Sequence, residues 1–397
     1  MVLILRRRPN SRSTPWQHAN VANWFAIVIV FVCSFINNGT AQATADTQVN
    51  NSTQLLVDMT NYVRNEDLDV RALVVMQHGQ TRLEWHSGLS SPAHSHRIYS
   101  CTKSVTSALL GIALARQSRL GLESRLHEVF PQQLSANSGA DTIGEVSIAQ
   151  LLQMRSGLPS TRAPSRRFWQ LHNAKDRLTW ALALRPVDRP SQRFRYGNVE
   201  PQILLSVVQQ LRAEGTRKFA RQALFEPLGF RNQQWQFADA VGMVTGGYGL
   251  RLRAIDMARF GELFLRGGQW HGKQVISAAW VAQSTTTHST ERYGYMWWNH
   301  VPASGYRSFA ALGLYGQVIQ VVPELGLVFV MTANLSRSQS KIVRRKLVER
   351  YVIPAALAAR NASSPVDAAA LLSARDAGKR FVPSSRTAGG KRNLPKL

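Results

Sequence analysis

Residues 99–110 run Tyr99-Ser100-Cys101-Thr102-Lys103-Ser104-Val105-Thr106-Ser107-Ala108-Leu109-Leu110, with a serine three residues before a lysine and an apolar segment behind them. Positions i and i+3 of a helix share one face, so Ser100 and Lys103 would lie about one turn apart. A serine hydroxyl needs a base within hydrogen-bond reach, and a lysine is a base only when burial or a nearby cation lowers its pKa. The stretch therefore predicts a helix over 100–116 that carries a Ser–Lys nucleophile pair.

An ordinary helix start is the alternative interpretation of this pattern. Ser100 would then be a helix N-cap and Lys103 a solvated surface residue. In the catalytic interpretation the helix N-terminus also directs backbone N–H groups at a developing oxyanion. Because S-x-x-K matches recur by chance in a chain of 397 residues, the rest of the sequence has to decide between the two.

Strand patterns lie at both ends of the chain, and a helix-rich stretch over 145–230 separates them. The apolar patterns predict an N-terminal hairpin, three C-terminal strands and a last helix. The predicted strands cover 70–77, 81–86, 293–298, 317–322 and 327–332, and the last helix covers 338–357. Strands so far apart in the sequence predict one sheet built from distant segments, with a second, helical lobe and a cleft between the two.

Residues 194–198 (Phe-Arg-Tyr-Gly-Asn) form a second candidate segment, about 95 residues after Ser100. In an extended conformation Tyr196 and Asn198 point to the same side. Tyr196 would act as a base or a proton shuttle if nearby cations lower its phenol pKa, and Asn198 would bind an acyl amide or hold Lys103. A buried tyrosine in a turn is the simpler alternative.

Residues 313–317 (Gly-Leu-Tyr-Gly-Gln) precede an apolar strand. A glycine such as Gly313 allows a substrate to approach a strand edge closely. The backbone N–H of Leu314 could then pair with that of Ser100 as an oxyanion hole. A glycine-rich turn between two strands is the alternative interpretation.

Motifs for other chemistries fail at a defining position. Residues 267–274 match a P-loop except that Gln274 stands where a Ser or Thr would bind magnesium. His94 and His96 have a metal-like spacing, but no third ligand of the right type lies near them in the sequence. Cys101 is predicted to be a small buried residue and not a second nucleophile. The prediction is a mechanism without a metal or an organic cofactor.

Taken together, the motifs resemble the serine β-lactamase and penicillin-binding superfamily. Within it they are similar to the class C β-lactamase-related group, which includes D,D-peptidases, esterases and 6-aminohexanoate-dimer hydrolase. The similarity extends to three further segments: 148–158 resembles the group's "LLxMxSGL", 247–261 its "GLxxxxxDMARFG" helix, and 293–298 its "YGYxWW" strand. Roughly residues 65–355 are covered, and several motifs occur in the family's order.

The resemblance implies an α+β, β-lactamase/transpeptidase-like fold, in which helices flank an antiparallel sheet and a helical lobe covers about 118–235 of a domain over 53–360. Ser100 would be the acylated nucleophile and Lys103 its base, and Tyr196 would share proton transfer with the leaving group. Substrate and oxyanion would be bound by Asn198, Gly313 and the backbone of Leu314. The implied activity is that of a serine hydrolase that forms an acyl-enzyme on a small amide or ester.

One departure from the family pattern lies at residues 311–313. Typical β-lactamases and penicillin-binding proteins carry Lys-Thr-Gly or His-x-Gly there, whereas this chain has Ala-Leu-Gly. The 6-aminohexanoate-dimer hydrolase branch also lacks the cation, which favours amide or ester substrates without the β-lactam carboxylate. If this edge is open to the cleft, Ala311→Lys should leave folding intact. A D,D-peptidase or β-lactamase, and an envelope-binding protein of the penicillin-recognising fold with weak or no catalysis, stay as alternatives.

The N-terminus is typical of an export segment. Residues 1–43 contain four arginines, an apolar run over 24–36 and an Ala-Gln-Ala cleavage site at 41–43, which predicts a cleaved signal peptide or an uncleaved anchor. We therefore expect a periplasmic or secreted protein. At the other end, residues 362–397 are small, polar and basic, which predicts a disordered tail.

The chain is strongly basic, with a net charge of +25, of which +21 is left when residues 1–43 and their four arginines are removed. Such a charge favours association with anionic surfaces, and in an exported protein an anionic cell-envelope polymer is the expected partner. The arginines are scattered, without a long Lys/Arg block or an aromatic-interleaved strand motif, so no nucleic-acid partner is predicted.

Overall fold

The computed structural model describes residues 50–135 and 143–360. The predicted signal segment 1–43 and the predicted tail 362–397 lie outside this part of the chain. The first described element is helix α1, over residues 50–65, which the sequence interpretation did not predict. Its apolar residues Leu56, Met59 and Val63 follow helical spacing and are all buried against the sheet.

The elements that lead to the candidate nucleophile are three strands, a short turn and a long helix. They are β1 (Val70–Gln77), β2 (Gln80–His86), β3 (His96–Arg97), a 3₁₀ turn (Tyr99–Cys101) and α2 (Thr102–Ala115). Ser100 therefore lies in the 3₁₀ turn, and the α-helix begins two residues later than predicted. A 3₁₀ turn at a helix start is common, because the first N–H groups have no partner within the helix.

Helices dominate the middle of the chain. They are α3 (Leu126–Val129), α4 (Pro131–Ser135), α5 (Ile148–Leu152), α6 (Arg166–Asn173), α7 (Arg177–Leu182), α8 (Val199–Leu211) and α9 (Thr216–Ala220), and a π-helical turn (Arg221–Phe225) follows them. Helices α5, α6 and α7 each begin at a Ser or Asp whose side chain accepts a backbone N–H of the first turn.

The chain then alternates between short strands and two longer helices: β4 (Gln234–Trp235), β5 (Leu250–Leu252), α10 (Ala254–Leu265), β6 (Gln269–Trp270), β7 (Lys273–Gln274), α11 (Ala278–Ser284) and β8 (Trp298–Asn299). The P-loop-like stretch 267–274 folds as the β6–β7 hairpin, so it does not start a helix.

The C-terminal part contains three strands and a helical end. They are β9 (Phe309–Gly313), β10 (Gln317–Val322), β11 (Leu327–Ala333), α12 (Arg337–Leu347), a π-helical turn (Val348–Val352) and α13 (Ile353–Arg360). The last three follow one another without a break and include the predicted helix 338–357.

The main sheet joins the two ends of the chain, as the sequence predicted. Its six strands lie in the order β2-β1-β11-β10-β9-β8, and every neighbouring pair is antiparallel. Alternate residues of β1 serve different cores: Ala72 and Val74 face one cluster, and Leu73 and Val75 face the other. The sheet thus separates a large core beneath the helices of the middle region from a smaller core beneath α1, α12 and α13. This confirms the α+β class with an antiparallel sheet flanked by helices.

The predicted strand over 293–298 is wrong for most of its length. Met296 has a left-handed backbone (φ 64°), so the chain folds back on itself, and only Trp298 continues into a strand, β8. The turn buries Trp297 completely and presents the Met296 carbonyl to the hydroxyl of Ser104 on α2, at 2.7 Å. Aromatic content predicted a strand here, but tertiary packing made it a turn.

Helix α2 is surrounded by protein on all sides, since every residue from Thr102 to Leu114 is buried. Its polar side chains are satisfied by distant backbone: the Thr106 hydroxyl, for instance, donates to the carbonyl of Gly246 at 2.7 Å. Close packing also explains Gly111, where a Cβ atom would lie 2.5 Å from the Trp280 ring. No helix within the described ranges is both long and apolar enough to cross a membrane.

Candidate active site

A cavity of about 1050 Å³ opens where the start of α2, the segment before α8 and the end of β9 meet. All but one of the predicted site residues line it: Ser100, Tyr196, Asn198, Gly313 and Leu314. The exception, Lys103, is only 1% exposed and lies one turn below Ser100 on α2. The three segments that the sequence singled out thus meet at one place.

Lys103 is held by three polar atoms. Its Nζ lies 3.1 Å from the Ser100 Oγ, 2.7 Å from the Asn198 Oδ1 and 3.0 Å from the carbonyl oxygen of Gly247. It also lies 4.9 Å from the centre of the Tyr196 ring. Lys103 is therefore not the solvated surface residue of the alternative interpretation.

Asn198 has a fixed amide orientation. Its Nδ2 donates to the carbonyl of Thr161 at 2.9 Å, and its backbone N–H donates to the Thr161 Oγ1 at 2.7 Å. Because the amide nitrogen is engaged there, the Oδ1 atom faces Lys103 as an acceptor. Asn198 is the N-cap residue of α8, so this segment is a helix start and not the extended strand that was considered.

Burial controls the charge of Lys103. Desolvation lowers the pKa of its ammonium to about 7, against the opposing effects of the Glu200 carboxylate and Cys101. Tyr196, packed against the rings of Tyr293 and Trp298, helps to keep water from this region. At neutral pH a substantial fraction of Lys103 is therefore the free amine, as a general base requires.

The phenol of Tyr196 behaves differently from the sequence expectation. Burial raises its pKa above the ordinary value, and a hydrogen bond with Ser100 only partly offsets this. The condition under which Tyr196 would act as a base, a phenol pKa lowered by nearby cations, is therefore not met, because desolvation dominates and Cys101 acts in the same direction. Tyr196 is thus a neutral hydroxyl beside Ser100, able to donate and to accept a hydrogen bond.

The end of β9 lies unusually close to the turn that carries Ser100. A Cβ atom on Gly313 would fall 2.4 Å from the carbonyl oxygen of Ile98, so only glycine fits there. Next to each oxyanion candidate stands a tyrosine with a left-handed backbone, Tyr99 (φ 45°) and Tyr315 (φ 62°), and their rings are in contact, with centroids 5.2 Å apart. Such backbone conformations are costly and concentrate at functional sites.

The strand edge at residues 311–313 is open only in part. Ala311 is 1% exposed and belongs to the large core, whereas Leu312 and Gly313 line the cavity. We expected Ala311→Lys to leave folding intact only if this edge is open to the cleft. Ala311 is buried, so that condition is not met. The pleat of β9 is the reason, because consecutive side chains point to opposite faces.

Three contributors to the site were missed in the sequence. The Gly247 carbonyl and Thr161 hold Lys103 and Asn198 in place, and Glu200 is a fully buried carboxyl whose pKa is raised to about 7, mainly by desolvation. The adjacent glycines at 246–247 were the one available sequence signal, since paired glycines indicate a close backbone approach. The structure shows this approach: a Cβ on Gly246 would lie 2.0 Å from the Pro201 carbonyl. Carbonyl groups have no sequence signature.

Two further features of the site bear on its chemistry. Cys101 is a fully buried free thiol whose pKa is raised by desolvation, so the prediction of a small buried residue is confirmed. Within residues 50–135 and 143–360, no group of three or more His, Cys, Asp or Glu side chains is arranged to hold a metal ion.

Comparison with known proteins agrees with this fold. A family model described as Beta-lactamase matches residues 62–352. Comparison with curated protein sequences gave no match.

Many solved structures have a similar fold. One is a 6-aminohexanoate-dimer hydrolase homologue from Bacillus anthracis, with a TM-score of 0.61 and 19% identity over 71% of this chain and 78% of that one. An octameric penicillin-binding protein homologue from Pyrococcus abyssi has a TM-score of 0.59 and 16% identity over 75% and 77% of the two chains. A D-stereospecific amidohydrolase from a Streptomyces species has a TM-score of 0.57 and 17% identity over 72% and 97%. At these identities the likeness concerns the fold.

Proposed function

We propose that this chain, which belongs to the beta-lactamase family, a fold family of hydrolases, is a serine hydrolase. It would form an acyl-enzyme on a small amide or ester through Ser100, Lys103 and Tyr196, and it would need no metal or organic cofactor. The observation that carries this proposal is the set of atoms around the Lys103 Nζ.

A neutral amine has two hydrogens and one lone pair, and its surroundings here match that inventory. The Gly247 carbonyl oxygen and the fixed Asn198 Oδ1 are acceptors only, so they take the two hydrogens. The third neighbour, the Ser100 Oγ, lies 3.1 Å from the amine, and a hydroxyl can donate as well as accept. The lone pair is thereby directed at the Ser100 Oγ–H, which supports Lys103 as the general base.

The reaction would proceed in two halves. The Ser100 Oγ attacks the substrate carbonyl carbon while its proton moves to the Lys103 Nζ, and the N–H groups of Ser100 and Leu314 stabilise the oxyanion. As the tetrahedral intermediate collapses, the leaving amine or alkoxide takes a proton from the Lys103 ammonium through the neutral Tyr196 hydroxyl. Water then attacks the acyl ester by the same route and releases Ser100.

Covalent labelling tests this proposal. Intact-protein mass is measured after incubation with a fluorophosphonate, and turnover with p-nitrophenyl esters. We expect one adduct on the wild type and on Cys101→Ala, the matched neighbour, but none on Ser100→Ala, whose melting temperature should stay nearly unchanged. A labelled Ser100→Ala protein, or no adduct and no turnover on a well-folded wild type, would contradict the proposal.

The net charge of +25 supports a second candidate, an envelope-binding protein of the same fold with weak or no catalysis. Failure of labelling together with salt-sensitive sedimentation of the protein with anionic cell-wall polymer would favour it. A D,D-peptidase or β-lactamase is less well supported, because residue 311 is not a cation.

We also propose that the protein is exported to the periplasm or beyond. The arginines, the apolar run and the Ala-Gln-Ala site within residues 1–43 support this. After bacterial expression, the mass of the protein in the periplasmic fraction should correspond to cleavage after Ala43. A full-length protein in the membrane fraction would indicate an anchor, and a full-length protein in the cytoplasm would contradict export.

A further inference from the structure

The two proposed oxyanion donors lie on segments that backbone hydrogen bonds do not join. The N–H of Ser100 belongs to the 3₁₀ turn before α2, and the N–H of Leu314 belongs to the turn between β9 and β10. Within residues 50–135 and 143–360, β9 pairs with β8 and β10 only, and no backbone hydrogen bond runs from residues 98–101 to residues 312–316. The separation of the two donors therefore depends on other contacts.

Two of these contacts do not hold the segments together. The absence of a Cβ on Gly313 allows the strand edge to approach the Ile98 carbonyl, but it supplies no attraction. The Cys101 thiol lies 3.6 Å from the carbonyl oxygen of Gln317, and a thiol is a weak hydrogen-bond donor. A further contact is needed to keep the two N–H groups at a fixed separation.

A pair of aromatic rings makes that contact. Tyr99 directly precedes Ser100 in the chain, and Tyr315 directly follows Leu314. The two rings lie with their centroids 5.2 Å apart and their planes at 65°, an edge-to-face arrangement that aromatic rings favour. Both side chains line the cavity, and we call them the tyrosine pair. Each ring is thus attached to the backbone beside one of the two donors.

The backbone of the tyrosine pair is left-handed at both residues, with φ 45° at Tyr99 and 62° at Tyr315. A bulky side chain raises the energy of this conformation, whereas glycine adopts it freely. The turn at Tyr315 is also held from outside the pair, because its carbonyl accepts the N–H of Leu335 at 3.0 Å. A glycine would therefore suit this turn better than a tyrosine does, which indicates that the ring has a role of its own.

We propose that the tyrosine pair is a positioning element of the oxyanion hole, an inference that rests on the serine hydrolase function proposed above. Tyr99 and Tyr315 act through the neighbouring backbone and not on the substrate. Their ring contact holds the N–H groups of Ser100 and Leu314 at the separation that an oxyanion requires. Because the oxyanion develops in the transition state, loss of the contact should lower kcat more than it changes KM.

Substitutions of Tyr315 test the proposal. Tyr315→Gly removes the ring at a position where glycine suits the backbone, and circular dichroism establishes that it folds. We expect its kcat for neutral p-nitrophenyl esters to fall by about tenfold or more, with KM within about threefold of the wild type. Tyr315→Phe keeps the ring contact and should have a kcat within about twofold of the wild type.

The β6–β7 hairpin offers a matched control. His271 lies in its turn with a left-handed backbone (φ 46°), and its ring is in edge-to-face contact with Trp270, with centroids 5.0 Å apart. It does not line the cavity. His271→Gly therefore makes the same kind of change away from the site and should leave kcat and KM unchanged.

Thiono esters provide a measurement that a purely structural role would not change. A thiocarbonyl sulfur is a weaker hydrogen-bond acceptor than a carbonyl oxygen, so an intact oxyanion hole favours an ester over its thiono analogue. We expect Tyr315→Gly to lower the ester-to-thionoester ratio of kcat/KM several-fold. Tyr315→Phe and His271→Gly should keep the wild-type ratio.

A double-mutant cycle tests whether the two rings act as one unit. Tyr99→Leu should lower kcat about as much as Tyr315→Gly, and the double variant should be no slower than the slower of the two. Losses that multiply in the double variant would contradict a shared role. Because Tyr99 lies on the other segment, its variant carries the same expectation whether or not Tyr315→Gly folds.

The outcomes separate this proposal from the hydrolase function. If the wild type hydrolyses esters and is labelled at Ser100, but the ring-removing variants keep the wild-type kcat and ester-to-thionoester ratio, the tyrosine pair has no positioning role and the hydrolase function stands. An equal loss in His271→Gly would lead to the same conclusion. If the wild type is neither labelled nor active, the hydrolase function itself fails.

Discussion

Two lysines lie near the cavity, and they differ in burial: one is enclosed and the other is exposed. Lys103 is buried beside Ser100, and its amine is in contact with two fixed acceptors and one hydroxyl. Lys341 is exposed on α12 and lines the cavity. Burial lowers the pKa of Lys103, as the proposed base requires, whereas the side chain of Lys341 is in contact with water.

This contrast shows that chemistry in this fold depends on enclosure more than on residue type. The polar atoms around Lys103 come from the 3₁₀ turn before α2, from the N-cap of α8 and from the loop before β5, and aromatic rings keep water away from them. Lys341 on α12 instead borders the open cavity. Substitutions at the enclosed lysine and at the exposed lysine should therefore have different effects on activity.

Removing the buried amine should have the largest effect. Lys103→Met keeps the volume but has no lone pair for the Ser100 proton, so we expect kcat/KM for p-nitrophenyl esters to fall by about 10³- to 10⁴-fold. Lys103→Arg should be similarly inactive, because a guanidinium keeps its proton. Lys341→Met, the same change at the open end, should spare neutral-ester turnover within a few-fold. Rates of fluorophosphonate labelling give the comparison, and a Lys103→Arg protein that labels at the wild-type rate would exclude Lys103 as the base.

Separating the two proposed oxyanion donors, the N–H groups of Ser100 and Leu314, should have the next largest effect. In Gly313→Ala the new methyl group must move away from the Ile98 carbonyl, which takes Leu314 away from Ser100. Loss of one oxyanion donor typically lowers kcat by about 10²- to 10³-fold. Gly121→Ala is the matched control, since nothing lies within 4 Å of its added Cβ. Circular dichroism establishes that both proteins fold, and full activity of Gly313→Ala would contradict the assignment of Leu314.

The sequence was sufficient for the parts of this architecture that rest on local patterns. Short apolar runs identified β1, β10 and β11, and the S-x-x-K, Y-x-N and glycine segments identified residues that do meet at the cavity. It failed where tertiary contacts override local preference: Met296 takes a left-handed turn inside an aromatic stretch that favoured a strand.

The pKa shifts in the site could not be predicted from the sequence either, because they also depend on tertiary contacts. Whether burial or a neighbouring charge controls Tyr196 depends on how tightly Tyr293 and Trp298 enclose it, and these residues are about 100 positions away. The Gly247 carbonyl at Lys103 is a backbone atom, which every residue has. The spacing of residues 337, 340, 341 and 344 on one helical face can be recognised in the sequence. That this face lines a cavity can be seen only in the structure.

A lysine introduced on the strand edge should distinguish the dry face of β9 from the cavity face. Ala311→Lys would place an ammonium in the large core, where an unpaired charge is not solvated, so we expect a loss of unfolding free energy of about 3 kcal/mol or more. Leu312→Lys, one residue on, points to the cavity and should cost less than about half as much. Urea denaturation measures both. Equal stabilities of the two variants would contradict the assignment of the faces.

The smallest effect we predict concerns Glu200, the buried acid that acts on Lys103. One of its oxygens accepts a hydrogen bond from the Ser156 hydroxyl. Burial raises the pKa of Glu200 to about 7, and its ionised form raises the pKa of Lys103 against the larger effect of burial on the lysine. The other groups that act on this region, Tyr196 and Cys101, have raised pKa values and stay neutral at pH 7. Glu200→Gln should therefore lower the pKa of Lys103 further.

Because Lys103 must be neutral to accept the Ser100 proton, kcat/KM of the wild type should rise with pH through about 7. In Glu200→Gln that acidic limb should move to lower pH, so the variant keeps more of its plateau activity at pH 6 than the wild type does. Glu349→Gln, in the π-helical turn that follows α12, should leave the limb in place. A limb that stays where it is in Glu200→Gln, or that moves to higher pH, would mean that Glu200 does not act on Lys103 through its charge. The dry end of the cavity would then owe its free amine to desolvation alone.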